Sequence, residues 1–499
     1  MTPPSRQVFD PPALKRKGPR AQRGPEPLEY HTRVEGGSIV VTFTLAVATV
    51  LLAFAGLGVW GARRVRSGSD FTVAGRSASA PAVVGILLGA LVGGASTVGT
   101  AQLAYTSGLS ALWFTLGGGL GCLLLGWGFA APLRRFGVET LIQLLEERYG
   151  RKTALTALAA SFLGTFLSVV AQFLSGAALL ASVLPLPPAL AVGGTALLVL
   201  AFIALGGLRS YGTLGQAKIL LLYGVLAFCA LAAHSQGATP TFLWKSLPLF
   251  PWFHPLGRGL GVDLGACVSL VVGVFCTQIY LQSLFAARDE ATARRGALWS
   301  ALLMPPLGLL GVWVGLSVRA WGVDIDPALA LPWFLLHSFS PGVAGLLWGI
   351  LFITVVGCAA GLSLGMGTNL ARDLLPALGW NGKGTDGRGE IRALRLSVLG
   401  VVAAAAALGA RSGGSLILQW SYLSMGLRGA GTFFPLVLGV LAPGRLPPPW
   451  ALASALAGLG GTLLWPLTGQ QGEPLFLGLA LSGAFCLAGF WAGRRGQRL

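Results

Sequence analysis

The chain has 499 residues, of which 54% are hydrophobic and only 10% charged, with a mean hydropathy of +0.73. Soluble domains carry roughly one charged residue in four, so this composition excludes a soluble globular protein. The net charge of +18 sits in short clusters between long apolar stretches, which reads as membrane topology rather than a nucleic-acid surface, because a charge at the bilayer centre costs at least ~2.5 kcal/mol.

Residues 1–37 open the chain with seven basic residues, among them Lys15, Arg16 and Lys17, with much proline and no apolar periodicity. They predict a disordered basic tail, either dispensable or an over-called translation start, rather than a functional arm. The tail lacks the apolar region of a cleavable signal peptide, so the first apolar stretch is expected to remain as a membrane helix.

A helix needs about 20 residues to cross a ~30 Å hydrocarbon core. Thirteen stretches meet that length: 38–62, 80–106, 108–133, 154–184, 187–207, 215–234, 259–285, 296–318, 342–370, 393–410, 415–441, 449–468 and 474–493. An odd number places the ends of the membrane domain on opposite sides. After Ser38, 23 basic residues fall on the side of the C-terminus, and four, Lys245, Arg258, Arg319 and Arg411, on the other. The positive-inside rule then predicts an outside N-terminus and an inside C-terminus in the cytoplasmic membrane of a bacterium. Arg209 and Lys218 are counted with the inside segments.

The six cysteines fall within predicted spans and imply no disulfide framework, and the four histidines lack metal-ligand spacing. GLGVDLG at 259–265 opens a membrane helix rather than following a strand, and no GxxxxGK[ST] occurs, so nucleotide binding is not expected. No carboxylate lies near the middle of a predicted span; Asp263 comes nearest, which disfavours a buried-carboxylate proton relay.

From Phe71 onward the text FTVAGRSASAPAVVGILLGALVGGASTVGTAQLAYTSGLSALWF, continuing to PLRRFGVETLIQLLEERYG, resembles the sodium/solute symporter family. Gly75, Arg76, Gly99, Tyr105, Gly108, Arg134, Arg135, Thr140, Arg148, Tyr149 and Gly150 carry the match. It continues through GGLRSYGTLGQ at 206–216, TQIYLQSLFAARDEATARRG at 277–296 and the Asp-Leu of ARDLL, covering about 70–470.

The resemblance implies an all-α polytopic membrane protein with a leucine-transporter-like core of two five-helix inverted repeats. Repeat one would span 80–234 and repeat two 259–441, with an extra N-terminal helix at 38–62 and two C-terminal helices at 449–493. It further implies a secondary active transporter moving a small polar organic solute by alternating access, sodium-coupled by family. A sodium-independent uniporter and a degenerate, non-transporting sensor of the same fold are the alternatives. Its partners would be the solute and the lipid bilayer, with no nucleic acid. No cofactor beyond a coupling sodium ion is implied, and the spans hold no paired carboxylates or metal cluster that would mark an enzyme.

Such a carrier needs irregular backbone at mid-membrane, where only unwound carbonyl and amide groups can meet ions and polar solutes. Gly89, Gly93, Gly94 and Gly99 cluster in the first core helix, and Gly273 holds the comparable place in repeat two. Each could equally serve close helix packing, but the Gly93 and Gly94 pair is expected to mark a break.

By family position sodium would take carbonyls of Gly89 and Val92 and side chains at Gly357 and Cys358. Neither of the last two has a hydroxyl, and the aspartate that relatives carry after the GGL element is absent. A one-turn shift would bring Thr354, Ser363 or Thr368 into the ion position instead. The predicted solute lining is Ser96, Gln102, Tyr105, Gln172, Thr277, Gln278, Gln282, Gln419 and Trp420, each of which could alternatively make an interhelical hydrogen bond or pack as an aromatic. Arg428, drawn inside the span 415–441, either clamps a solute carboxylate or snorkels from a helix that ends early.

Overall fold

A computed structural model describes residues 37–62, 74–204, 208–375, 387–412, 415–465 and 473–496. The basic tail up to residue 36 therefore lies outside the described residues, as do Gly206 and Gly207, Lys383 and Arg498. All regular elements among the described residues are helical; an isolated bridge pairs Ala78 with Ala287.

The helices are α1 (Gly37–Ala62), α2 (Ala80–Leu91), α3 (Thr100–Ser107), α4 (Leu112–Leu124), α5 (Ala130–Arg135), α6 (Leu141–Tyr149), α7 (Arg151–Ala181), α8 (Pro188–Ala204) and α9 (Leu208–Ser235). They continue with α10 (Pro240–Ser246), α11 (Leu260–Phe275), α12 (Gln278–Phe285), α13 (Glu290–Ala320), α14 (Ala330–Ser338) and α15 (Pro341–Asn369). The last four are α16 (Gly387–Arg411), α17 (Ile417–Leu441), α18 (Pro448–Leu464) and α19 (Pro474–Gly496).

Each apolar stretch recognised in the sequence carries helix. Among the described residues eight helices are long and apolar enough to cross a membrane, or nine when the bent pair α11 and α12 counts as one span. The path from Ala95 to Arg135 is helical almost throughout. Gly108 interrupts it between α3 and α4 with φ +61°, a conformation natural only to glycine, and its Cα side lies against the backbone of Trp252, where a side chain would collide.

Helix starts follow local chemistry. Thr140 caps α6 by accepting the amide of Gln143 at 3.1 Å, and Asp289 caps α13 by accepting the amide of Thr292 at 2.7 Å. That bond, reinforced by Arg288, holds the Asp289 carboxyl below the usual carboxylate range. At the start of α11, buried Asp263 accepts from Ser110 Oγ (3.1 Å), the Arg258 amide (3.0 Å) and Arg258 Nε (2.8 Å). The carboxylate nearest to a span centre is thus spent on an ion pair at a helix end.

The core sits where α2, α7, α9, α11, α15 and α17 pack together, with α1 against α15 and α18 against α19 at the edges.

Candidate functional site: two broken helices

The first core helix breaks at the glycine pair. The Val92 amide makes a last helical bond to Leu88 O at 2.7 Å, and Val92 then turns extended (φ −94°, ψ 106°). The amide of Gly93 goes to Ser96 Oγ at 3.0 Å and that of Gly94 to Gln172 Oε1 at 2.7 Å. A π-helical turn over Ala95–Gly99 restarts the helix, with Gly99 N bonded to Gly94 O at 2.8 Å. Glycine is required here sterically, because a Cβ on Gly93 would lie 2.5 Å from Cys358 Cβ and Sγ and closer still to Gln172 Oε1.

Ending α2 in mid-protein leaves carbonyls that no following turn can satisfy. Ala90 O accepts the Cys358 thiol at 2.8 Å, and Gly89 O accepts the ammonium of Lys218 at 2.5 Å. Lys218 is only 3% exposed. It reaches this carbonyl because α2 and α9 meet through Gly85, Gly212 and Gly215, where a Cβ on either Gly85 or Gly215 would run into the other helix's backbone. Lys218, grouped by its charge with the inside segments, lies well inside α9, whose start at Leu208 precedes the expected start of that span at 215.

The second break falls at Cys276 and Thr277, where α11 and α12 meet at 45°. Gly273, expected at that break, lies a turn earlier. It packs against Met425 and offers its carbonyl to the Cys276 amide (3.1 Å) and Thr277 Oγ1 (2.6 Å). Arg428, fully buried on α17, donates to Thr277 Oγ1 (Nη1, 2.6 Å), Ser168 Oγ (Nη2, 2.7 Å), Ser424 Oγ (Nη2, 2.6 Å) and Ser424 O (Nε, 3.2 Å). The snorkelling reading of Arg428 is thereby excluded: its guanidinium faces the bundle interior, and no carboxylate is among these partners.

One face of α7 connects the two breaks. Gln172 binds the first, and Ser168, one turn before it, binds Arg428 at the second. Gly164, a further turn back, accepts from Ser424 Oγ.

Of the predicted lining residues, Ser96, Gln172 and Thr277 lie at the breaks. Gln102 accepts the amide of Ile417 at the start of α17 (3.0 Å), and Tyr105 donates to Val323 O (2.6 Å). Gln278 is engaged with the α5–α6 loop, donating to Glu139 O at 2.9 Å and accepting from Leu141 N at 3.0 Å. Gln282 is buried on the same face of α12, Trp420 donates to Ser415 Oγ at 2.8 Å, and Gln419 is exposed. Lys218, Ser168 and Ser424 were missed. For Lys218 a signal existed, since a charge within a predicted span marks function by default.

The positions implied for sodium are brought together, but they do not fit the ion. Gly357 lends its carbonyl to Tyr211 OH at 3.0 Å, Cys358 is a donor rather than an oxygen ligand, and a cation already meets Gly89 O. Of the shifted alternatives, Thr354 and Thr368 donate to carbonyls of their own helix, Ile350 O (2.7 Å) and Leu364 O (2.9 Å). Ser363 is buried with its hydroxyl unpartnered.

Two interrupted helices within a packed helical bundle are the arrangement alternating-access carriers use around a mid-membrane site. The sequence matches the model of the sodium:solute symporter family over residues 71–458. It is 22% identical over 378 residues to the sodium/glucose cotransporter of Vibrio parahaemolyticus, covering 67% of this chain and 68% of that protein. An uncharacterised symporter of Bacillus subtilis, YwcA, is 22% identical over 373 residues (70% of this chain, 72% of that one). The high-affinity choline transporter 1 of Drosophila melanogaster is 23% identical over 265 residues, and the match covers 52% of this chain and 42% of that protein. Among solved structures, a substrate-bound, outward-open Na+-coupled sialic acid symporter superimposes with a TM-score of 0.78 at 15% identity, over 91% of this chain and 97% of that one; this likeness speaks for the fold. The chain belongs to the sodium:solute symporter family, membrane-embedded secondary transporters that couple solute movement to sodium by alternating access. The family and the fold are those of a transporter rather than an enzyme.

Proposed function

We propose that the chain carries a small polar organic solute across the cytoplasmic membrane of a bacterium, binding it at mid-membrane between the two breaks, with sodium as the coupling ion. The observation that carries this reading is the single face of α7 that holds both breaks, through Gln172 at Gly94 and through Ser168 and Arg428 at Thr277. Neutral amide and hydroxyl groups dominate there, which favours a hydrogen-bonding solute.

The repeats are proposed to span 80–234 and 259–441, with 38–62 and 449–493 outside them. The basic-residue asymmetry supports an outside N-terminus and an inside C-terminus.

A second reading, an anionic or zwitterionic solute, is favoured by Arg428, whose partners are three hydroxyls and a backbone carbonyl and which would bind a carboxylate more strongly than it binds them.

A thermal-shift and uptake screen of a solute library on the purified, reconstituted protein tests both readings, since a ligand of the folded state raises its apparent stability. Neutral polar solutes as hits support the first reading and carboxylates the second. Absence of uptake for every class, in sodium and in its absence, overturns transport.

A further inference from the structure

The resemblance places a coupling sodium ion between the end of α2 and the middle of α15, and in this chain that place is taken by a side chain. The Lys218 ammonium bonds Gly89 O at 2.5 Å. A Cβ built on Gly357 would stand 3.9 Å from its Nζ and 3.6 Å from its Cδ, so the ammonium spans the gap from α2 to α15. Cys358, the other α15 position, donates to the neighbouring carbonyl of Ala90 at 2.8 Å. We propose that the Lys218 ammonium is the resident cation of this position, replacing a sodium ion there, and that the sodium that couples transport binds elsewhere.

Three features support the substitution. First, the end of a half-helix concentrates partial negative charge on its last carbonyls, which attract any monovalent cation. A tethered ammonium supplies the same unit charge as sodium, with N–H donors that suit carbonyl acceptors. Second, no Asp or Glu occurs in α1, α2, α8, α9, α12 or α15. The titratable group that faces Lys218 is Cys358, with Tyr211 and Tyr280 beyond it. The ammonium is therefore held by a backbone carbonyl, that of Gly89, and not by a counter-charge. Third, the arrangement recurs at the other break. Lys218 lies ten residues into α9 and Arg428 eleven residues into α17, the fifth helices of the two repeats. Each reaches the broken helix of its own repeat, Lys218 through Gly89 O and Arg428 through Thr277 Oγ1. A cation in the same place in both halves is hard to reconcile with chance packing of one lysine.

The inference rests on the transport reading, and the experiment separates the two. Full-length protein is purified and reconstituted, and thermal midpoint and uptake of a hit from the solute screen are compared in sodium chloride and in choline chloride of equal ionic strength. Lys218→Met keeps the reach of the side chain without its charge, and uptake is expected to fall at least tenfold while the protein stays monodisperse. The triple variant Lys218→Ala, Gly357→Ser, Cys358→Ser removes the ammonium and restores two hydroxyls. The Cβ at 357 meets only ordinary contacts. The triple variant is expected to gain a sodium-specific rise in midpoint several degrees larger than that of the unmodified protein.

Wild-type uptake by Lys218→Met, or a triple variant no more responsive to sodium than the parent, overturns the proposal. Should Lys218→Met fail to fold, the sodium response of the triple variant decides alone. A parent protein that transports nothing in either salt removes the transport reading but leaves the midpoint comparison valid.

Discussion

Replacing Gly93 by alanine is the most direct probe of the first break. The added methyl would stand 2.5 Å from Cys358 Cβ and Sγ and closer to Gln172 Oε1. The glutamine amide can rotate away, but the buried Gly94 amide, now 2.7 Å from Oε1, then loses its acceptor, at about 1–3 kcal/mol. The cysteine Cβ is fixed to α15 and cannot swing, so the helices must part locally, at a further ~1–3 kcal/mol for overpacking. Gly93→Ala is thus expected to cost about 2–6 kcal/mol and to cut uptake severely. Gly224→Ala in α9 is the control: nothing lies within 4 Å of its added Cβ, and helix propensity makes the change neutral or favourable by up to about 1 kcal/mol. The readouts are the thermal midpoint in detergent and initial uptake rates in proteoliposomes. A Gly93→Ala protein as stable and active as Gly224→Ala would refute the steric account of the break.

Four further outcomes follow from the same geometry. Arg428→Met should fold nearly normally, because Ser168 and Ser424 are already within 2.5 Å of each other and Thr277 keeps Gly273 O, and a lone buried charge is costly to keep. Its uptake should nonetheless collapse if the solute bears a carboxylate, and unchanged uptake of a carboxylate would remove the clamp. Gln278→Leu should destabilise by about 1–3 kcal/mol through the orphaned Leu141 amide and Glu139 carbonyl; an unchanged thermal midpoint would contradict this. Asp263→Ala should cost about 3–5 kcal/mol by stranding Arg258, measured as lost midpoint or expression, whereas a fully stable variant would show that the pair contributes little. A reporter fused after Leu499 should read cytoplasmic and one inserted in the 235–258 loop external, and the reverse pattern would invert the proposed topology.

The placement of the helices was legible in the sequence because it depends on a local quantity, the transfer free energy of about 20 successive residues, which neighbours along the chain decide. The break at Gly93 and Gly94 was legible for a similar reason. Two adjacent glycines weaken a helix through the backbone freedom they lose on ordering, and the first core helix ends at Leu91, two residues before Gly93. The second break falls at Cys276 and Thr277 rather than at Gly273, and the sequence could not show that Thr277 there meets Arg428, a residue 151 positions away. The same limit applies to the glutamines. A spacing of four puts Gln278 and Gln282 on one face, but only the docking of the α5–α6 loop decides that Gln278 spends its amide on Glu139 and Leu141.

Lys218 marks the boundary most sharply. Its charge, at the fourth position of a predicted span, was compatible with a loop end. Its location at Gly89 O arises from Gly85, Gly212 and Gly215, which let α2 and α9 approach until the lysine stem spans the remaining gap. The sequence by itself determined which segments enter the membrane, through the local cost of burying each residue in lipid. Only the tertiary structure decided which groups each buried cation meets, Gly89 O for Lys218 and the Thr277 and Ser168 hydroxyls for Arg428, because that depends on the distance between helices remote in sequence.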